Sequence, residues 1–380
     1  MTHTELIPIG FDAKRIVANA TGLGAYGRTL VNALAALPSR YRFILYAPDA
    51  GRDDLRSQVI VNERVGFAYS GCHWRISKDR WRAEGVVNDA KRDGVRLYHG
   101  LSGELPAGLR SAGIKSLMTV HDLIFMRHPE YYKPVDVWLY KRKFYHSLRE
   151  CDRIVAISEC TKRDILYYSD YPEDHIDVVY QSCDTRFREP VSEEKRSEVK
   201  ERYQLPSRYI LNVGTVEERK NVLLAVKALP QLPNDVQLVI VGRRTRYADS
   251  VWEWATRHGV SDRVMFLEGV PNSDLPAIYR SAAAFVYPSR YEGFGIPVIE
   301  AIQSGLPVVA ATGSCLEEAG GPDSYYVNPD DSDAMAATLN DILSTDQQER
   351  IARSQEYVKQ FENANVAQQI LKEYDLLLGR

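Results

Sequence analysis

Residues 283–300 read Ala-Ala-Phe-Val-Tyr-Pro-Ser-Arg-Tyr-Glu-Gly-Phe-Gly-Ile-Pro-Val-Ile-Glu. The apolar, partly aromatic run from Ala283 to Tyr287 suits a buried parallel strand, and Gly293 and Gly295 mark a loop that can take backbone angles other residues avoid. Pro297 fits the first turn of a helix, where its missing N–H costs little, and Ile299, Ala301 and Ile302 give that helix apolar faces. Strand, glycine loop and helix in this order form the repeating unit of a doubly wound α/β sheet. The loop aims free N–H groups at an anion. Glu292 lies in it and Glu300 stands two turns into the helix, so two carboxylates are expected at different depths of one pocket.

The same alternation of short apolar runs and helical patterns extends both ways. In the second half the expected strands are Tyr209 to Val213, Val236 to Val241, Val264 to Leu267, Ala283 to Tyr287 and Pro307 to Ala310. In the first half they are Arg42 to Tyr46, Leu117 to Val120, Arg153 to Ile157 and Ile176 to Tyr180, with a further strand ending at His99. Two α/β domains follow, and 380 residues suit two cores better than one. Ser182 to Ser207, charged and carrying Pro190 and Pro206, reads as a connector with a short helix around Ser192 to Tyr203. Val366, Ile370, Tyr374 and Leu377 or Leu378 recur as the apolar face of a C-terminal helix.

Composition narrows the class. With 44% hydrophobic and 26% charged residues the chain is globular. No apolar run approaches the roughly 20 residues that cross a bilayer, and Met1 to Gly10 lacks the pattern of a signal peptide. Five scattered cysteines, Cys72, Cys151, Cys160, Cys183 and Cys315, show no metal-type spacing. The expected compartment is the cytosol. Residues 1–190 carry 28 Lys and Arg against 24 Asp and Glu, and the remainder 20 against 27, so the first half is the better face for an anionic partner. That asymmetry is too mild for nucleic acid.

A second constellation lies at Ile210 to Asn221, Ile-Leu-Asn-Val-Gly-Thr-Val-Glu-Glu-Arg-Lys-Asn. A strand ends at Gly214, Arg219 and Lys220 follow in a loop, and Asn221 is expected to cap a helix from Val222 to Leu229. Adjacent cations before a helix N-terminus suit a diphosphate. Near the start, Thr21 to Gly27 reads Thr-Gly-Leu-Gly-Ala-Tyr-Gly, a loop in which Gly22 and Gly24 would let backbone approach a ligand. His121 and Asp122 follow the strand Leu117 to Val120, at the edge where open sheets bind ligands. The helical pattern Val137, Tyr140, Phe144 and Leu148 reads as a core face, and the cations and aromatics around it as solvated or as a membrane-surface patch. Asp331 and Asp333 read as caps of the alanine-rich helix that follows.

Glu292, Gly293, Phe294, Gly295, Pro297 and Glu300 together resemble the Glu-x7-Glu signature of retaining group 1 glycosyltransferases of the GT-B fold, and the resemblance runs from the N-terminal glycines to the last helix. It implies two Rossmann-like domains facing across a cleft: an acceptor-binding domain at 1–185, a connector at 186–207, a nucleotide-sugar domain at 208–361, and a helix at 362–380 that crosses back to the first domain. Glu292 then resembles the carboxylate on the donor sugar hydroxyls, Glu300 the one on the ribose, and His121 the histidine near the reacting carbon. Arg219 and Lys220 resemble the cations on the diphosphate, where a proline often replaces Glu218. Gly269 and Val270 resemble the segment that cradles the base. Gly22, Gly24, Gly214, Gly293, Phe294, Gly295 and Ile296 complete the donor site, although Ala25 stands where the family commonly has arginine.

The implied reaction transfers a hexose from a nucleoside-diphosphate sugar to a glycan or lipid-linked saccharide with retention, without a metal or other cofactor. The overall match favours GDP-mannose and surface-polysaccharide assembly, with UDP- and dTDP-sugars as alternatives. Members of the group that extend lipid-linked saccharides use the first domain at the inner membrane face. Paired carboxylates also fit a glycosidase, but the basic loop implies a diphosphate leaving group. A sugar-nucleotide epimerase and a non-catalytic binding module stay open on the residues alone.

Overall fold

The computed structural model describes residues 6–379; Met1–Glu5 and Arg380, the last residue of the expected 362–380 helix segment, lie outside the described residues. The chain forms two compact units, one running to Ser182 and resuming at Phe361, the other spanning Cys183–Gln360.

The first unit holds seven parallel strands, β1 (Ile7–Asp12), β2 (Tyr41–Ala47), β3 (Val65–Tyr69), β4 (Leu97–Gly100), β5 (Lys115–Val120), β6 (Arg153–Ala156) and β7 (Ile176–Val178), in the order 3-2-1-4-5-6-7. The second holds six, β8 (Tyr209–Val213), β9 (Gln237–Val241), β10 (Val264–Leu267), β11 (Ala284–Tyr287), β12 (Val308–Ala311) and β13 (Tyr325–Val327), in the order 10-9-8-11-12-13. All pairings are parallel. Strands buried on both faces need continuous apolar runs, which is why β9 reads Gln-Leu-Val-Ile-Val. Each order reverses once, between β1 and β4 and between β8 and β11. There the outgoing loops part and leave a crevice at the strands' carboxyl ends.

The two faces of the first sheet have separate cores. On one, Ile9, Phe11, Leu97 and Leu117 meet Leu30, Val31 and Leu34 of the helix α2 (Gly22–Ala36), which follows the short helix α1 (Lys14–Ala18), and Val366, Ile370 and Tyr374 of the C-terminal helix Asn363–Leu377. On the other, Tyr98, Met118 and Ile154 meet Val86, Val87 and Phe144. The last helix therefore returns to the first unit. His99 serves this packing, since it is fully buried and its ring nitrogens meet the Tyr374 and Thr119 hydroxyls, each at 2.8 Å.

Some expectations change. The charged stretch after Cys183 is part of the second unit, where the helix Glu193–Arg202 is capped by Ser192 and tied down by buried Asp274, which accepts from Arg202 (2.6 Å), Tyr203 (2.9 Å) and Lys195 (3.0 Å). On the helix Pro134–Glu150, Val137 and Phe144 are buried, but Tyr140 is 39% exposed and packs its ring edge-on against Phe125 and Tyr132. Asp331 does cap the helix Ser332–Ser344, accepting from Ala334 N at 2.8 Å, while Asp333 accepts from Gln231. Among the described residues, no helix is long and apolar enough to cross a membrane.

Candidate active site

The β8–β11 crevice gathers the charged residues. Arg219 and Lys220 sit in the short 3-10 turn Glu218–Lys220 after β8, and Glu292 in the loop after β11. Arg219 Nη1 lies 2.9 Å from Glu292 Oε2 and donates to Tyr291 O at 2.6 Å, while Nη2 reaches Glu217 at 2.7 Å. Lys220 Nζ pairs with Glu292 Oε1, donates to the Tyr287 hydroxyl at 2.6 Å and lies over that ring. Ser289 Oγ gives Glu292 Oε1 another hydrogen bond at 2.7 Å. The two loops are also stitched through backbone, Arg290 N donating to Arg219 O at 2.9 Å.

Burial by itself pushes the Glu292 carboxyl up, but Lys220 and Arg219 outweigh it and hold the group at about 2. Burial works against the Arg219 charge as well, and Glu292 and Glu217 more than reverse it, raising the guanidinium further. Glu292 and Arg219 therefore stay charged at neutral pH. Glu300, on the helix Ile296–Gln303, behaves oppositely: burial raises it to about 7, and the Tyr279 hydroxyl, donating to Oε2 at 2.7 Å, only partly offsets that.

Backbone shape holds the loop. Gly295 has φ 137°, and a Cβ there would stand 2.9 Å from Leu316 Cδ2 and 3.2 Å from the Ala319 methyl. The thiol of buried Cys315 donates to Phe294 O (2.7 Å) and Glu292 O (3.1 Å). Pro297 occupies the first turn of the helix as its chemistry requires. Gly214 and Gly269 both have positive φ, at the ends of β8 and β10, with Val270 next to Gly269. Asn221 is not the expected helix cap: it takes a left-handed conformation (φ 53°), the helix runs Leu223–Ala228, and its amide instead donates to Pro288 O and Pro329 O.

In the first unit His121 stands at the carboxyl end of β5, 9% exposed. Its Nε2 donates to Leu101 O at 2.8 Å and its Nδ1 accepts from Gln181 at 2.6 Å, with the Tyr26 ring edge-on. Burial lowers it to about 4 despite the Leu101 carbonyl, so the ring is neutral. Gly22 and Gly24 lie in the first turn of α2 rather than in a loop ahead of it. Residue 24 must be glycine there, since a Cβ would stand 1.9 Å from Asn19 O.

Sequence reading missed Tyr287, Ser289 and Cys315 around Glu292, and Tyr279 against Glu300. Ser289 and Tyr287 lie within five residues of Glu292 and could have been read from the quoted stretch. Tyr279 and Cys315 reach the site only through tertiary packing.

The sequence profile of the glycosyl transferases group 1 matches residues 193–361, and that of glycosyltransferase family 4 matches residues 20–187. Among known proteins, the O-antigen chain mannosyltransferase B of Escherichia coli is 32% identical over 288 residues, 74% of either chain. The O-antigen chain mannosyltransferase RfbU of Salmonella typhimurium is 28% identical over 253 residues, 67% of either chain. Among solved structures, sucrose-phosphate synthase from Thermosynechococcus elongatus superposes with a TM-score of 0.77 at 21% identity, covering 98% of this chain and 99% of the other. Anabaena HepE in complex with UDP and glucose gives 0.75 at 17%, covering 97% and 99%. The fold is thus that of the GT-B glycosyltransferases. The chain belongs to the group 1 glycosyltransferases, and it is an enzyme of that class.

Proposed function

We propose that the protein transfers mannose from GDP-mannose to a saccharide acceptor in the assembly of a surface polysaccharide, with retention at the anomeric carbon. The sugar follows from the relatives, which are named mannosyltransferases of O-antigen chains. The single observation that carries the mechanism is the cluster of Arg219, Lys220 and Glu292 at the β8–β11 crevice.

As the bond from the anomeric carbon to the diphosphate oxygen breaks, negative charge grows on the leaving group. The cationic side chains of Arg219 and Lys220, held beforehand by their hydrogen bonds, stabilise that charge where it develops. Their shift from Glu292 toward phosphate frees the Glu292 carboxylate to accept hydrogen bonds from sugar hydroxyls. Glu300, with the ribose as its partner, anchors the nucleoside, and backbone around Gly269 and Val270 meets the base. The acceptor hydroxyl attacks from the face the diphosphate leaves, forming the new C–O bond and passing its proton to a phosphate oxygen. His121, neutral with both nitrogens engaged, contributes shape and polarity beside the sugar rather than acid–base chemistry. No step uses a metal.

On the first unit, the helix Pro134–Glu150 exposes Val135 (68%), Trp138 (59%) and Leu139 beside Lys141, Arg142 and Arg149. Apolar anchors among cations fit an anionic membrane surface, which suits a lipid-linked acceptor. The test is incubation with GDP-, UDP- and dTDP-sugars and a mannose-containing acceptor, in chelator, with the product linkage read by NMR. GDP-mannose is expected to be consumed and an α-mannoside formed. A β-mannoside, loss of activity in chelator, or turnover of another donor alone would each remove the corresponding part of the proposal.

A further inference from the structure

Glu292 is gripped by two cations, whereas Glu300 is gripped by a phenol. The Tyr279 hydroxyl donates to Glu300 Oε2 at 2.7 Å, and among the described residues no other hydrogen bond reaches either side chain. Tyr279 is fully buried, and burial with the nearby Glu300 charge pushes its hydroxyl well above the ordinary 10, so it keeps its proton and acts as the donor. A buried tyrosine hydroxyl needs a partner. Here that partner is a carboxylate two helices' worth of packing away from where its own chain segment ends, 21 residues on in sequence.

The packing leaves this phenol little freedom. Tyr279 lies on the short helix Leu275–Arg280, which is pinned at both ends. Before it, buried Asp274 is held by Arg202, Tyr203 and Lys195; at its end, Arg280 Nη2 donates to Phe187 O at 3.0 Å and to Arg188 O at 2.9 Å. The ring itself packs edge-on against Phe187, centroids 5.3 Å apart, and tilted on Phe285 of β11 at 5.5 Å. Glu300, by contrast, is only partly covered, and its Oε1 carries no hydrogen bond among the described residues. One carboxylate oxygen is thus tied to a rigid donor and the other is left for a ligand.

We propose that Tyr279 is a positioning residue for donor binding, its buried hydroxyl fixing the Glu300 carboxylate in the orientation that accepts the ribose hydroxyls. This rests on the reading of Glu300 as the ribose carboxylate. A glutamate side chain loses torsional freedom when a ligand orders it, and that loss weakens binding. The phenol orders it beforehand. The same bond opposes burial by favouring the ionised form, which is the form that accepts from two hydroxyls. The other groups that act on Glu300 are Asp184 and Arg186, of opposite effect, beside the turn Thr185–Phe187, and the Cys183 thiol and Tyr287 phenol, both kept neutral by burial.

Tyr279→Phe removes one oxygen and keeps the ring. In protein carrying carboxyl-labelled glutamate, the Glu300 NMR signal, identified by its absence in Glu300→Gln, is expected to titrate at about 7 in the wild type. In Tyr279→Phe it should titrate about one pH unit higher. Donor KM should follow that displacement, rising about 10-fold at pH 7 with kcat at saturating donor little changed. A merely structural loss would raise KM alike at every pH. In a Glu300→Gln background, Tyr279→Phe is expected to add nothing further. An unmoved Glu300 midpoint, or losses that add in the double variant, overturns the proposal. Donor KM unaffected by Glu300→Gln at pH 8 removes the ribose reading instead, and the carboxyl titration then decides by itself whether Tyr279 governs Glu300.

Discussion

Glu292 and Glu300 come from one short motif and end with opposite acidities. The first is surrounded by cations and held at about 2, the second is surrounded by burial and one phenol and raised to about 7, against an ordinary carboxylate value of 4.5. The linkage signs therefore differ. Glu292 contributes stability that is complete above pH 4.5 and is lost as the pH falls toward 2. Glu300 favours the fold in its protonated form, so its contribution is complete below 4.5 and is lost as the pH rises toward 7. Thermal unfolding should show this directly, with Glu300→Gln removing a decline in stability between pH 4.5 and 7 that the wild type displays. The same ionisation matters for the donor, because an ionised carboxylate accepts two ribose hydroxyls where a protonated one competes with them. Donor KM is expected to fall between pH 6 and 8 in the wild type and to stay flat in Glu300→Gln. A flat wild-type profile would remove Glu300 from the ribose.

At the scale of elements, the loop between β11 and the helix Ile296–Gln303 is the part whose backbone admits least change. Gly295→Ala places a Cβ at φ 137° and 2.9 Å from Leu316 Cδ2. It should cost about 1–3 kcal/mol in chemical denaturation and displace Glu292, so that transfer falls more than stability does. The helix Pro134–Glu150 gives a second prediction, on the proposed membrane contact. Trp138→Ala combined with Arg142→Glu should lower sedimentation with vesicles rich in anionic lipid while leaving transfer to a water-soluble acceptor unchanged; equal sedimentation would remove the membrane role. These two elements also show what the sequence makes legible. The strand, loop and helix around Glu292 could be read within a residue or two, because apolar run, glycines and Pro297 all agree. β1 went unread because Pro8, Gly10 and Asp12 give Ile7–Asp12 the look of a turn, and its strand character comes from pairing on both sides with β2 and β4. β13 is three residues long and carries too little pattern to read. Tyr140 was misplaced because helical spacing names a face without saying how wide its cover is.

At the scale of the whole molecule, the first unit joins the early strands to the helix Asn363–Leu377, which closes the core over β1, β2 and β4. Tyr374 is fully buried, meets the Tyr41 ring edge-on and bonds His99. Tyr374→Ala should destabilise that unit by about 3–5 kcal/mol and leave the His99 Nδ1 without its partner, visible as a lowered first unfolding transition. In the second unit, the β8–β11 crevice holds Arg219, Lys220 and Glu292, the residues proposed to grip the donor. The most direct test compares nucleoside-diphosphate release from the preferred donor, in the presence of acceptor, for the wild type and Glu292→Gln, with circular dichroism to show that both are folded. The folded variant is expected to lose transfer by about 100-fold or more; turnover at the wild-type rate in a folded variant would take Glu292 out of the donor site.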